Sequence, residues 1–395
     1  MSIYDDLGVR TILNAKGSST RVSGGLLTLE VTAAMREAAA YCVDMAELQA
    51  AASRIIAGIT GAEAGIVTSG AAAGLLLGTA ACVTGLDPGK MARLPDTAGM
   101  KNEAIMVRSQ RNFYDHAVRA AGVRIVEVGL PDRVAGAGVR DAEPWEIAEA
   151  IGPATAAVVY VANGNARPAL EEVVRVAHAQ RIPVLVDAAA QLPPASNLKK
   201  FIAAGADLVA FSGGKAINGP QGSGILCGRR DLIMSAILQN LDLDIEWAQW
   251  TPPASLIDKD RLTGLPPHGI GRSCKVGKET IVGLMVALRR FAADSDESRT
   301  ATWQARVDNL ALQLSGLKNA AISVRPGLVP KLAIAVSAGS AKTALEICIE
   351  LQNGEPSIHV DPSRVSDGAL IINPSCLEDA DVPLLVQRVR QLFGR

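Results

Sequence analysis

Lys215 follows Ser212-Gly213-Gly214 at the end of an apolar run, Asp207 to Phe211, that reads as a buried strand. A second glycine-rich turn, Asn218 to Gly224, leads into another apolar strand. An amine held between a buried strand and permissive glycines is poorly hydrated, so it becomes neutral and nucleophilic more readily. Taken alone, a lysine after Gly-Gly is ordinarily a surface residue in a turn, and the rest of the chain has to decide. Asp187 comes directly after Pro183-Val184-Leu185-Val186 and before Ala188-Ala189-Ala190-Gln191. A carboxylate at a buried strand end needs a cation or several hydrogen bonds to stay charged, although a helix N-cap explains it equally well. Thr68-Ser69-Gly70-Ala71-Ala72-Ala73 joins a strand to a helix. Small residues there let an anion approach the free N–H groups of the helix start, and Ser69 could add a hydroxyl. By itself this too is equally a plain N-cap.

These groups need a scaffold, and the pattern supplies one. Short apolar strands at Gly65–Val67, Ile105–Val107, Val123–Val128, Ala156–Ala162, Pro183–Val186 and Asp207–Phe211 alternate with helical segments. That alternation predicts an α/β fold with a mostly parallel sheet and flanking crossover helices. Nearly continuous apolar strands imply burial on both faces, and ligands collect at the carboxyl ends of such strands. After a long apolar-periodic helix over about Gly277 to Ala292, the pattern changes to a smaller α+β domain. The expected organisation is an irregular arm over 1–30, a large domain over 31–276, and a linking helix with a small C-terminal domain over 277–395.

Composition narrows the function. Lys plus Arg (39) balances Asp plus Glu (40), which leaves no electrostatic case for nucleic acid. Six scattered cysteines without a CxxC pair, and four histidines without metal-ligand spacing, favour a reduced, cytoplasmic setting and no metal site. No charged segment precedes an apolar one at the start, so no export signal is expected. Ala64 to Leu86 carries no charge, but five glycines, three threonines and a serine make a strand, turn and buried helix the better reading than a membrane span.

An anion cradle, an aspartate and a lysine on successive strand ends match the needs of pyridoxal phosphate: a helix N-terminus for the phosphate, a carboxylate for the pyridine nitrogen, an amine for the aldehyde. Phe211-Ser212-Gly213-Gly214-Lys215 with Gly219-Pro220-Gln221-Gly222, Val186-Asp187-Ala188-Ala189-Ala190-Gln191, and Arg111-Asn112-Phe113-Tyr114-Asp115-His116 resemble the selenocysteine synthase-like branch of fold-type I pyridoxal phosphate enzymes. Within that branch the D-glucosaminate-6-phosphate ammonia-lyase group is the nearest resemblance, over about Leu13 to Leu288 and more weakly beyond. It implies a Schiff base and α-carbon acid/base role for Lys215, and a pyridinium partner in Asp187. It also implies ring packing by His116 and Ala189, phosphate contacts from Ser69, Gly70, Ala71, Ala72 and Ser212, and a ring-hydroxyl contact from Gln191 or Asn163.

Arginine suits a substrate anion because it binds oxyanions through two parallel donors. Arg272 in Gly271-Arg272-Ser273-Cys274-Lys275 is the first candidate and Arg21 in the arm the second. Related enzymes often carry arginine after an Asp-Pro pair near the carboxyl end, where Asn373-Pro374-Ser375 stands here. The expected reaction is α-proton abstraction and β-elimination from a hydroxylated amino acid or amino-sugar acid, giving a keto acid and ammonia. A racemase or epimerase reading stays open. A selenocysteine synthase-type transferase is disfavoured, because that resemblance would imply a tRNA-binding amino-terminal domain where only a short arm is read, and the neutral overall charge gives no basic footprint. Ser212 to Lys215 also forms an SxxK pattern, but its SDN and KTG partners are missing. The resemblance further implies a homodimer or higher even oligomer, with Gly219–Gly224 near the neighbouring site.

Overall fold

The computed structural model describes residues 2–130 and 141–394. Two compact units emerge, Met1–Leu27 with Ala293–Arg395, and Thr28–Ala292. In chain order, the strands among the described residues are β1 (Ile12–Ala15), β2 (Ala64–Thr68), β3 (Glu103–Val107), β4 (Arg124–Val128), β5 (Thr155–Val161), β6 (Val184–Asp187), β7 (Leu208–Ser212), β8 (Gly224–Gly228), β9 (Ala320–Arg325), β10 (Lys331–Val336), β11 (Ser357–Val360) and β12 (Ala369–Ile372).

The larger unit is built on one sheet in the order β2-β8-β7-β6-β5-β3-β4. From β4 to β7 all neighbours are parallel. Only β8 is reversed, antiparallel to both β2 and β7. The expected mostly parallel α/β sheet with flanking helices is therefore the architecture found. Its central strands are buried along almost their whole length, which is why they read as unbroken apolar runs rather than alternating ones. The helix Leu170–Ala179 shows the other side of that logic. Val173 and Ala177 are fully buried one turn apart, while Glu171 and Arg175 stay in water.

The uncharged Ala64–Leu86 stretch is β2, a turn and the helix Ala71–Thr84. That helix is buried nearly all round, with Leu77, Ala80 and Ala81 fully enclosed. Among the described residues no helix is long and apolar enough to cross a membrane. Beyond β8, the helix Arg230–Leu238 precedes a stretch without strands that contains two 3-10 turns, Lys259–Arg261 and Ile270–Cys274. The long helix Lys278–Ala293 ends the unit.

The smaller unit corrects the reading of residues 1–30 as an irregular arm. Ile12–Ala15 is a strand, paired in parallel with β11 through Asn14–His359 and Ala15–Val360. The buried Asn14 side chain explains the regularity. Its amide donates to the carbonyls of Gly17 and Gly24, and its oxygen accepts from the N–H groups of Lys16 and Gly17, folding the small polar residues back onto the strand. β12, β10 and β9 form an antiparallel sheet. Leu13, Leu310, Ile334, Ile358, Leu370 and Leu385 share its core with the other buried apolar residues of the unit.

Candidate active site

The sheet register lines up the residues of interest along one edge. Gly224 opens β8 and is paired with Thr68 on one side and Ser212 on the other. Asp187 closes β6, opposite Ala210 of β7 and Val161 of β5. Because β8 runs backwards, it begins at the same edge where its neighbours end.

The segment read as an anion cradle is the start of the helix Ala71–Thr84. Gly70 is its N-cap at φ 96°, a backbone state that favours glycine, and no side chain caps the first-turn amides. Ala71 is buried and Ala72 exposed at the mouth. The Thr68 hydroxyl donates to the Gly70 carbonyl at 2.9 Å, and the Ser69 hydroxyl donates to the Cys274 carbonyl at 2.9 Å. Gly224 lies so close that a Cβ there would sit 2.4 Å from the Gly70 carbonyl carbon and 2.6 Å from the Ala71 nitrogen.

Lys215 sits in a folded turn between β7 and β8. The Gly213 N–H donates to the Ser223 carbonyl, the Gly219 N–H to the Gly213 carbonyl, and the Asn218 N–H to the Lys215 carbonyl, each at 2.9 Å. A side chain on Gly214 would strike the backbone of Gln221 at 2.5 Å, so the double turn closes only over glycine. Lys215 is half-buried, and burial pushes its ammonium below the ordinary lysine range against the opposing pull of Asp187. Asp187 is buried. Burial raises its carboxyl above the ordinary range, opposed by a 3.0 Å hydrogen bond from the Ala189 N–H and by the charge of Lys215. Each group favours the charged form of the other, and burial disfavours both.

The remaining candidates occupy varied positions. His116 is exposed near the start of the helix Asp115–Ala120, after β3. Its Nδ1 lies 2.8 Å from Arg119 Nη2. Arg119 and Arg111 both pair with the buried Asp115, at 3.4 and 2.5 Å. Asn163 follows β5 and is exposed, with its side-chain oxygen accepting from the Asn165 N–H at 2.8 Å. Gln191 is half-buried. Its backbone N–H donates to the Ala188 carbonyl, and its carbonyl accepts from the Asn197 side chain. Ser212, also half-buried, ends β7. Arg272 lines a cleft of about 750 Å³ with Asp44, Asp242, Asp244, Lys275 and Lys278. Its guanidinium is engaged by Asp242 at 3.0 Å and by the Asn240 carbonyl at 3.2 Å, and Lys215 and Asp187 are not among the residues lining that cleft. Arg21 belongs to the smaller unit, in the 3-10 turn Thr20–Val22, 3.4 Å from His359 Nδ1.

Sequence reasoning passed over Gln110. It is buried after β3, accepts from the Val161 N–H at 2.9 Å and donates to the Arg167 carbonyl at 3.3 Å, tying the ends of β3 and β5 together. Nothing in Arg108-Ser109-Gln110 marks a glutamine for that task. Among the described residues no cluster of His, Cys, Asp and Glu could hold a metal ion.

The class-V aminotransferase family model matches residues 108–240. A Streptomyces 5'-C-glycyluridine monooxygenase-decarboxylase is 31% identical over 407 residues, covering 99% of this chain and 92% of the relative. The chain belongs to the fold-type I pyridoxal phosphate enzymes. The D-glucosaminate-6-phosphate ammonia lyase of Salmonella typhimurium is 28% identical over 404 residues, covering 99% of this chain and 98% of the relative. The solved structure of a D-glucosaminate-6-phosphate ammonia-lyase matches with a TM-score of 0.83 at 28% identity, covering 100% of this chain and 98% of that one.

Pyridoxal phosphate is accordingly the cofactor of this enzyme, and the sheet edge suits it chemically. Side-chain-free helix amides suit a phosphate, and Gly224 keeps the space beside them clear of a Cβ. A buried carboxylate suits a pyridinium, and a half-buried amine of lowered basicity suits an aldehyde.

Proposed function

We propose that this enzyme is a lyase that releases ammonia from a hydroxylated amino acid or amino-sugar acid. The observation that carries the reading is the end-to-end likeness, in sequence and in backbone, to D-glucosaminate-6-phosphate ammonia lyase. When bound, pyridoxal phosphate supplies an electron sink for negative charge at the substrate's α-carbon. Lys215 would hold the cofactor and, once freed, take the α-proton on its Nζ, a task that its lowered basicity favours. Asp187 would keep a proton on the ring nitrogen, and the amides of Ala71 and Ala72 with Ser69 and Ser212 would hold the phosphate. His116 and Ala189 would flank the ring, with Gln191 or Asn163 at its hydroxyl. Arg272 would reach a substrate anion by exchanging it for Asp242. The substrate's β-hydroxyl leaves as water, and the resulting enamine takes up water to give a keto acid and ammonia, with no net oxidation.

The test is ammonia release from a panel of hydroxylated amino acids and amino-sugar acids, with Lys215→Ala as control. Ammonia and keto acid in equal amounts, both lost in the variant, support the reading. Racemised substrate without ammonia refutes it. The Streptomyces relative favours a second reading, oxygen-dependent decarboxylation. Oxygen uptake with carbon dioxide release, abolished under anaerobic conditions, would select it. The enzyme is further proposed to act as a homodimer or higher even oligomer. Phe113 and Tyr114, 92% and 63% exposed beside His116, would be covered there, and a monomer in light scattering would refute this.

A further inference from the structure

The turn that ends at Cys274 is bound to one buried side chain. Asn240, 5% exposed, lies just beyond the helix Arg230–Leu238. Its Nδ2 donates to the Gly271 carbonyl at 2.9 Å and to the Cys274 carbonyl at 3.3 Å. Its own backbone carbonyl accepts from Arg272 Nη1 at 3.2 Å, so the 3-10 turn Ile270–Cys274 is tied to Asn240 at three points. The approach is close. A Cβ on Gly269 would lie 2.5 Å from the Gln239 Cα, and one on Gly271 would lie 2.8 Å from the Gln239 carbonyl oxygen.

The Cys274 carbonyl has a second donor, the hydroxyl of Ser69 at 2.9 Å. A carbonyl oxygen carries two lone pairs, and Ser69 and Asn240 fill them. A serine hydroxyl has a single proton, here directed to Cys274, and a phosphate dianion can only accept. Ser69 therefore serves a phosphate as donor only by turning its proton away from Cys274. Without Asn240 that turn would strand the Cys274 carbonyl. With Asn240 in place the carbonyl keeps a donor, and the hydroxyl moves at little cost.

We propose that Asn240 is a positioning residue for the cofactor's phosphate: by holding the Cys274 carbonyl it frees the Ser69 hydroxyl to turn to the phosphate. The inference rests on the proposed phosphate contact of Ser69 and deepens it, adding a residue that acts only through its neighbours.

The test is a double-mutant cycle read as cofactor affinity. Pyridoxal phosphate is added back to enzyme freed of it, and visible absorbance follows binding to wild type, Ser69→Ala, Asn240→Leu and the double variant. Asn240→Leu removes the donor and should weaken binding about tenfold, the effect of a carbonyl left without its partner. Ser69→Ala should weaken it by a similar factor, about tenfold, through the lost phosphate contact. Once Ser69 is alanine no hydroxyl has to leave Cys274, so adding Asn240→Leu should change affinity by less than about twofold. Pyridoxal, which lacks the phosphate, leaves Ser69 on Cys274 and should bind to Asn240→Leu and wild type alike. An Asn240 that only supports the fold would weaken both ligands in both backgrounds, and that result overturns the proposal. Undiminished affinity of Asn240→Leu for pyridoxal phosphate overturns it as well. If Ser69→Ala weakens binding and Asn240→Leu does not, the Ser69 contact stands and only this inference fails; if Ser69→Ala binds as wild type does, both fail. Thermal unfolding checks each variant, and Asn240→Ala carries the same expectations should Asn240→Leu not fold. Because no turnover is read, failure here is distinct from failure of the lyase reading.

Discussion

Gly224 gives the sharpest test of how the proposed cofactor cradle is built. In Gly224→Ala the new Cβ would lie 2.4 Å from the Gly70 carbonyl carbon, 2.6 Å from the Ala71 nitrogen and 2.7 Å from the Gly70 oxygen. All three are backbone atoms, and no side chain can rotate away to relieve them. Either β8 or the helix start must retreat, and β8 is held between β2 and β7. Overpacking of this kind costs about 1–3 kcal/mol. At roughly 2–4 °C per kcal/mol for a unit of this size, a cost of about 2 kcal/mol lowers the melting temperature by about 4–8 °C. If the helix start is what retreats, the cofactor loses the worth of a hydrogen bond to a charged group, about 1.5–3 kcal/mol or roughly 10- to 100-fold in affinity. Thermal unfolding and cofactor titration by absorbance measure both effects. Gly222→Ala, whose Cβ would meet nothing within 4 Å, is the control and should change neither. A Gly224→Ala protein with unaltered melting temperature and cofactor affinity would refute the idea that β8 positions the helix start.

Other outcomes follow from the same structure. Asp187 has a raised carboxyl, so its ionisation costs the cofactor-free fold stability as pH rises through its titration, and the cost disappears in acid, where the carboxyl is protonated in both folded and unfolded chains. Cofactor-free Asp187→Asn should therefore unfold at higher denaturant than wild type at neutral pH, with the advantage vanishing in acid, while binding pyridoxal phosphate more weakly. An advantage that grows in acid would contradict this. Gln110→Leu keeps the volume but leaves the Val161 N–H unsatisfied; a loss of about 1–3 kcal/mol in chemical denaturation is expected. Burial pushes the Cys227 thiol up to about 12. At pH 8 its thiolate fraction is on the order of 10⁻⁴, so a thiol reagent should label exposed Cys42 long before Cys227, which reacts only on unfolding.

The parts of the fold readable from sequence are those with a local cause. β5 to β7 stand out because burial on both faces demands an unbroken apolar run, and Gly213-Gly214-Lys215 stands out because the turn closes only over glycine. The strand-end positions of Ser69, Asp187 and Lys215 follow from those runs. β1 was hidden because a four-residue strand has too little pattern to declare itself, and its partner β11 lies far along the chain. The reversal of β8 is invisible in composition, since a central antiparallel strand is as apolar as a parallel one. The engagement of Arg272 by Asp242, and of His116 by Arg119, depends on how loops and short helices bring side chains together, which residue type does not disclose.

The reversed strand also bears on synthesis. β8 is the last strand of its sheet to leave the ribosome, yet it is the piece that joins β2 to β7. Until it emerges, β2 has no hydrogen-bonded neighbour in the sheet, and the β7–β6–β5–β3–β4 block has no partner on its β7 side. At roughly 5–20 residues per second, β2 waits on the order of 10–30 seconds for its neighbour. The helix Ala71–Thr84 packs directly on the finished strands, with Gly74 against Ala210 and Gly78 against Leu185 and Leu208, so what waits for β8 is the last adjustment of its first turn, where Gly224 meets Gly70 and Ala71.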